Sequence, residues 1–562
     1  MALSTPERPG FRAFVNTVQP LYKIPSEPTT TKLLEEKYEL LRGKVSKMMN
    51  AAEHISLTMD IWTHKYTVAS YLGVTAHFTK GALTKSVELG TRLLEDRKDH
   101  GTLQKVMHQL LKVEWQLDYE KVRSVVTDGG GNIKLAAKNE FGEEKHISCI
   151  SHRLNLIGQK AIGNQAFLPS EQPGQGPPTD LPDDEDDLDD GVVEEGAEQP
   201  APGGALTLRG LIMKVKRTVR FFKQSEVAAS RLKELQKVEQ GKKDGQCLRL
   251  IQEVKTRWNS CYEMLQRYLL LAPLVVRVVL DLQRQRISRA KPPDIISPAE
   301  EEILKEVKDL LAPLHRATQE VSSEKLVTLS KCIPVINSLR TEIEKYSATT
   351  VISKQIKEIL KALLRDAFDS IEMVPVYAAA TLLDPRFKTF GFRQDLTTPR
   401  RVGNAVTFVG DLVKKKMRAA QVQAQAEQAL GREENPAAEE PTEPDDFWSS
   451  LDMQVERQSS LHSGQDTAGG IPVQLRAYLD SPPVKRKDYP NPLIAWEPLK
   501  GELRHVYAVA QEYLSMLANS VPSERLFSHA GMISNQKRTR LAAKRLEMLV
   551  FLRSCDNDLW FE

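Results

Sequence analysis

Asp60, Asp128 and Glu524 are the three carboxylates on which a chemical reading of this chain can be built. In HISLTMDIWTH, residues 54–64, Ile55, Leu57, Met59 and Ile61 recur at every second position. A strand would therefore hold them on one face and Asp60 on the other. Asp128 closes the apolar run VRSVVT at 122–127, and Glu524 lies far downstream in NSVPSERLF at 519–527. Three converging carboxylates would suit divalent magnesium, a hard ion that takes oxygen ligands and activates water for in-line phosphoryl transfer. Cys149 and His152 form a CxxH pair whose spacing invites zinc, but two ligands do not complete a tetrahedral site and no second pair follows at suitable spacing. A structural role beside the carboxylates, with His152 contacting phosphate, is the reading favoured.

The elements that must position these groups follow from periodicity. Thr31 is expected to cap a helix through residues 33–52, with Leu33, Leu34, Tyr38 and Leu41 on one face. A strand at 55–62 is followed by alternating runs at 71–78 and 83–94, with Gly81 at the turn between them, which makes an antiparallel meander. The pattern then changes to helix 102–113, strand 122–127, helix 132–141 and strand 146–150. Strands alternating with helices imply parallel pairing. Antiparallel strands first and parallel strands after is the order of a ribonuclease-H-like sheet, in which the first strand lies centrally with the fourth beside it. Asp60 and Asp128 would then face one cleft.

A chain of 562 residues calls for several domains and linkers, and 41% hydrophobic content with a net charge of +3 describes a soluble protein whose overall charge neither supports nor excludes nucleic acid. Five cysteines, scattered without CxxC spacing, indicate a reducing compartment rather than a disulfide framework. The start MALSTPERPGF lacks the basic and apolar regions of a signal peptide, and no apolar run reaches membrane-spanning length, so an intracellular protein without membrane contact is expected.

Residues 169–205 contain DDEDDLDD at 183–190 and read as an acidic linker. From 206 to about 428 the pattern is helical. Lys214, Lys216, Arg217, Arg220 and Lys223 crowd one helix beside Phe221 and Phe222, which fits either phosphate contacts or an ordinary solvated face. A second low-complexity stretch, 419–470, is interrupted by DDFW at 445–448, a docking peptide or a transient apolar patch. Order returns after 471 as a short strand at 475–479 and helices, the last carrying Leu541, Leu546, Leu549, Val550 and Leu552 along one side, either as core or as dimer contact.

Six motifs in this order resemble the hAT superfamily of DNA transposases and the BED zinc-finger proteins descended from them: LTMDIWT at 57–63, VVTDGGGNI at 125–133, CISHRLNL at 149–156, KTRWNS at 255–260, LLDPRFK at 382–388 and SVPSERLFSHAG at 520–531. The resemblance implies an α/β plus all-α architecture, a ribonuclease-H-like catalytic domain interrupted by a large helical insertion and completed by a hAT-type C-terminal dimerisation region. The expected division is an N-terminal helical segment at 1–52, the first part of the catalytic domain at 53–168, the acidic insert at 169–205, the helical insertion at 206–418, a linker at 419–470 and the C-terminal region at 471–562. Asp60, Asp128 and Glu524 would be the catalytic triad, binding magnesium or manganese. Trp258 would stack on a flipped-out base, a contact worth about 1–3 kcal/mol, with Arg257 on phosphate. Trp496, Leu541, Leu546 and Leu549 would contribute to self-association. Lys537 and Arg538, in NQKRTR at 535–540, fit a DNA contact, a nuclear-import patch or a solvated turn.

Two departures qualify the resemblance. Nothing before His54 is Cys or His, so a BED finger has no ligands in this chain. Gly129, Gly130 and Gly131 stand where bulkier residues are usual, and three glycines would loosen the loop that positions Asp128. The expected function is a nuclear, DNA-binding, self-associating transposase or transposase-derived protein capable of metal-dependent cleavage and strand transfer. The alternative is a domesticated, non-catalytic dimer that regulates transcription or chromatin. A nuclease of another ribonuclease-H type ranks last, because it leaves the helical insertion unexplained.

Overall fold

The computed structural model describes residues 5–64, 67–95, 97–163, 207–254, 258–285, 291–322, 328–433, 467–468, 470–534 and 541–561. The acidic run 183–190, Arg257, the 445–448 peptide, Lys537 and Arg538 lie outside the described residues.

Five strands form one sheet: β1 (Ile55–Thr63), β2 (Ser70–Lys80), β3 (Leu83–Leu94), β4 (Val122–Thr127) and β5 (His146–Ser148), in the order β3-β2-β1-β4-β5. The first three pair antiparallel, and Gly81 at φ +61° makes the β2–β3 turn. β4 joins β1, and β5 joins β4, in parallel register. The order and directions agree with the strand pattern read from the sequence. Ile55, Leu57, Met59 and Val125 are buried on one face against α2 (Glu27–Ala51), α3 (His100–His108) and α4 (Gly131–Phe141). Burying each such side chain contributes about 1.5–3 kcal/mol.

Element ends depart from expectation where local capping outweighs the apolar pattern. A short helix, α1 (Pro9–Val18), occupies the Pro/Thr-rich start. The cap of α2 is Ser26, whose side chain accepts from Thr29 N, and its buried residues are Leu41, Val45 and Met49, while Leu33 is exposed. Asp99 caps α3, which gives way to a π-helical turn at Gln109–Glu114. β5 stops at Ser148 rather than residue 150, because Ile150 N donates to Ala518 O and opens α5 (Ile150–Gly163).

The helical part comprises α6 (Leu208–Gln224), α7 (Glu226–Gln240), α8 (Trp258–Gln285), α9 (Pro298–Val321), α10 (Cys332–Lys345), α11 (Val351–Phe368), α12 (Pro375–Leu383) and α13 (Thr398–Glu433). α13 continues through residues expected to begin a linker. The chain returns as α14 (Val473–Asp480), α15 (Pro492–Trp496), α16 (Arg504–Leu514), α17 (Val521–Ile533), α18 (Ala543–Ser554) and α19 (Asn557–Phe561). α14 replaces the strand expected at 475–479, because Leu475 and Tyr478, three apart, are the residues it buries. α5 to α16 share one hydrophobic core. Among the described residues no helix is long and apolar enough to cross a membrane.

LLDPRFK is a latch inside that core. Arg386 forks onto Asp384 (Nε to Oδ1, 2.8 Å; Nη2 to Oδ2, 2.6 Å), and its Nη1 donates to Pro490 O at 2.6 Å. Ser330 Oγ donates to the same carboxylate at 2.6 Å. Lys388, held at φ +46°, donates to Tyr478 O at 2.6 Å and to Ser481 Oγ at 2.8 Å, tying α14 down.

Arg386→Ala should lower the urea midpoint followed by circular dichroism by the equivalent of about 3–5 kcal/mol, since Asp384 loses its buried counter-charge; Arg386→Lys should recover only part. A pH-dependent effect is expected at Glu88, whose carboxyl is buried on β3 and pushed up by burial to about 8. Its raised pKa means the folded state holds the proton more tightly than the unfolded one, so this contribution is present at low pH and is lost as pH rises through about 8. Glu88→Gln should therefore gain stability relative to the parent as pH rises from 5 to about 8, measured as urea midpoints at each pH.

Candidate functional site

The β1–β4 register brings the two aspartates side by side. Met59 pairs with Thr127, so Asp60 in β1 and Asp128, the first residue after β4, are the next residues along two adjacent parallel strands. Ser56, Thr58 and Asp60 share one face of β1 by alternation, opposite the apolar core. Both aspartates are half-buried. Asp60 Oδ1 accepts from Ile61 N at 2.8 Å, and Asp128 Oδ1 accepts from Gly130 N at 3.1 Å.

The chain reaches this face again nearly four hundred residues later. Leu517 N donates to Ser56 Oγ at 3.3 Å, and Ser56 Oγ is itself hydrogen-bonded to Ser124 Oγ. Ala518 N donates to Thr328 Oγ1 at 3.0 Å, and Ser520 N to Cys149 Sγ at 3.3 Å. Thr58 Oγ1 then shares hydrogen bonds with Ser523 Oγ at 2.8 Å and with Thr75 Oγ1 at 2.5 Å. Glu524 follows in the first turn of α17, where the helix N-terminus favours a carboxylate. α17 can lie this close because Gly73, the β2 partner of Asp60, lacks a side chain: a Cβ there would stand 2.5 Å from Phe527. Sequence reading missed Thr58, Gly73 and Ser523; a glycine inside an otherwise well-formed strand was the available signal of close approach.

His152 stands beside Gly129, the residue after Asp128. A Cβ on Gly129 would lie 2.6 Å from His152 Nε2, and one on Gly130 would lie 3.2 Å from Asp128 Oδ1. Gly129 and Gly130 therefore leave room for neighbouring side chains, whereas nothing lies within 4 Å of where a Cβ on Gly131 would stand. Cys149 is buried, and burial pushes its thiol up to about 11. It accepts hydrogen bonds from Ser520 N and His152 N, each at 3.3 Å, and so acts as a structural anchor. Among the described residues no three His, Cys, Asp or Glu side chains form a metal-holding group. Asp60 and Asp128 nevertheless supply hard oxygen donors from adjacent strands, and magnesium is commonly held by one or two carboxylates with water and substrate phosphate completing its shell.

The remaining candidates divide. Trp258 is 2% exposed and packs on Gly158, where a Cβ would lie 2.3 Å from its ring, so the side chain expected to stack on a base is a core residue in this conformation. Its Nε1 is buried without a hydrogen-bond partner among the described residues. On α6, Lys214 pairs with Glu300 and Lys216 with Glu253, whereas Arg217 and Arg220 are exposed. Trp496, expected at a dimer contact, is fully buried: it stacks on Tyr478 at 4.6 Å and donates from Nε1 to Leu383 O at 2.9 Å. Leu546 is likewise buried, against α17 and β2, while Leu541 and Leu549 are half-buried. An apolar stripe cannot by itself distinguish an intramolecular from an intermolecular partner.

Comparison with known proteins places two matches on this framework. Residues 474–555 match the hAT family C-terminal dimerisation region, and residues 147–309 match the ZBED1 RNase-like helical domain. The chain is 22% identical over 561 residues to Zinc finger BED domain-containing protein 4 of Homo sapiens, covering 97% of this chain and 41% of that protein. It is 27% identical over 130 residues to the Transposable element Hobo transposase of Drosophila melanogaster, covering 23% of this chain and 19% of that one. It is 28% identical over 168 residues to Zinc finger BED domain-containing protein 6 of Homo sapiens, covering 27% and 17% respectively. The chain thus spans less than half the length of each of these relatives.

Gly129→Ala should push the His152 imidazole aside at a cost of about 1–3 kcal/mol. In a double-mutant cycle read by urea midpoints, that cost should largely vanish in the His152→Ala background.

Proposed function

We propose that this chain, a relative of the hAT transposases and BED zinc-finger proteins that carries the hAT C-terminal dimerisation region, is a transposase-derived nuclear protein that binds DNA, self-associates and retains acidic residues for metal-dependent strand cleavage. The observation that carries this reading is the placement of Asp60 in β1 and Asp128 at the end of the adjacent parallel strand β4, with the Glu524 helix pinned to the same sheet through Thr58 and Ser523. The strand order β3-β2-β1-β4-β5, with parallel pairing beginning at β4, supports a ribonuclease-H-like sheet.

Asp60 and Asp128 would hold a magnesium or manganese ion, with Glu524 as the third carboxylate. The ion would supply Lewis-acid activation of a water or 3′-hydroxyl and charge neutralisation at the phosphate. The chain's own contribution is orientation. Gly130 N fixes one oxygen of Asp128, the Thr58–Ser523 bond sets the approach of Glu524, and His152, beside Gly129, is poised to contact a phosphate oxygen. Arg217 and Arg220 are exposed for backbone contacts on α6.

A second reading, a non-catalytic dimer acting on transcription or chromatin, is favoured by the buried Trp258, since base stacking would require its surroundings to open.

Incubation of supercoiled plasmid with purified protein and magnesium or manganese separates the two. A working site should nick the plasmid, with the rate falling at least about a hundredfold in Asp60→Ala and Glu524→Ala, the scale expected of a group acting in the reaction. DNA binding without metal-dependent nicking by the parent protein would instead support the regulator.

A further inference from the structure

A concavity of about 1220 Å³ lies in the helical part, between α9, α10, α11 and the loops after α12 and α14. Nine Lys and Arg residues line it against four Asp and Glu; Arg386 and Arg393 also pair with Asp384 and Asp395, outside the lining, and the excess is still positive. The four acids are already engaged: Glu342 with Arg316, Glu344 with Lys361, Glu320 with Lys331, and Asp369 with Arg340. Lys345, Arg365 and Arg486 are exposed, and no salt bridge among the described residues engages them.

Lys345 and Arg365 sit in the last turns of α10 and α11, where the helix dipole favours a cation. That accounts for each one singly. It does not account for Arg486, which reaches the same concavity from a separate loop, or for the crowding around Arg340. Burial lowers the affinity of Arg340 for its proton, as do neighbouring Arg393 and Arg401, against the opposing pull of Asp369 and Glu372. Phe390, 72% exposed, lines the same groove. A concave cationic surface with an exposed aromatic ring matches a phosphodiester chain whose bases need a stacking platform.

The groove also adjoins the candidate site. Lys331 and Glu320 line it, while Val321 O accepts from Asn519 Nδ2 and Thr328 Oγ1 accepts from Ala518 N, in the segment leading to Glu524.

We infer that this groove is a binding track for the backbone of a DNA strand, gripped by Lys345, Arg365, Arg393 and Arg486, with a base stacked on Phe390. The inference rests on the DNA-binding reading above and adds a surface to it, independent of whether the carboxylates cut.

The test is fluorescence anisotropy of labelled single-stranded and duplex oligonucleotides with the full chain, titrated across a series of salt concentrations. Arg365→Gln/Arg486→Gln should weaken DNA binding about tenfold and reduce the slope of log affinity against log salt by about 1.4 on single strands and 1.8 on duplex, reflecting two lost phosphate contacts. Phe390→Ala should weaken single-strand binding at least about fivefold with little effect on duplex. Unchanged affinity and slope in the double variant would overturn the inference. So would a polyglutamate peptide that binds the parent as tightly as DNA and is lost in the same variant, which would assign the groove to an acidic protein partner. Asp60→Ala separates the two proposals. Groove variants that lose affinity while the parent fails to nick would leave the track standing without the catalytic reading; nicking by a parent whose groove variants bind normally would do the reverse. Absence of any DNA binding would sink both.

Discussion

The crossing of residues 517–523 over the polar face of the sheet is the constraint on which the rest of the molecule depends. It adds partners to buried hydroxyls on β1: Ser56 receives Leu517 N, and Thr58 shares a bond with Ser523. It ties the sheet to the helical part through Thr328 and Val321, and to α5 through Cys149. Closing a loop of nearly four hundred residues costs entropy that grows only slowly with length, so the helical part can be large without preventing the return. A set of buried polar bonds specifies one seating, because a shifted register would leave several donors and acceptors unpaired.

That crossing explains why motifs that invite chemical readings also carry structural duties. CISHRLNL supplies Cys149 as an acceptor for the returning chain and His152 as the neighbour of Gly129. LLDPRFK supplies a fully desolvated Asp384–Arg386 pair and a lysine that holds α14. The tryptophan of KTRWNS fills the space over Gly158. The Asp384–Arg386 pair is local, but Cys149, Lys388 and Trp258 each meet a partner that is distant in sequence and close in space.

The region matched to C-terminal dimerisation is physically two parts. α14 to α16 belong to the helical core through Trp496, Tyr478 and Tyr507, whereas α17 and α18 lie on the sheet through Phe527, Leu546 and Val550. Arg92 on β3 pairs with Glu547 at 3.0 Å and also with Glu114, which adds a charged clamp beneath α18. The strongest apolar stripes of the region are consumed within the chain, leaving Leu541 and Leu549 as its half-buried flank.

The sheet was legible because a strand's two-residue period separates faces locally: Ile55, Leu57 and Met59 declare the core side, and Asp60 must then lie opposite. Strand order followed from the change from hairpins to helical crossovers, which restricts pairing direction. What the residues alone determined was therefore the set of elements of the α/β part and the face on which its carboxylates stand. Only the tertiary structure decided that 475–479 is helical, that Trp258, Trp496 and Leu546 are buried inside the chain, and that Gly73 and Gly129 exist to admit Phe527 and His152. The physical reason is that each of those outcomes depends on which distant surface arrives. Periodicity records that a side chain prefers burial, and it carries no record of the partner that buries it.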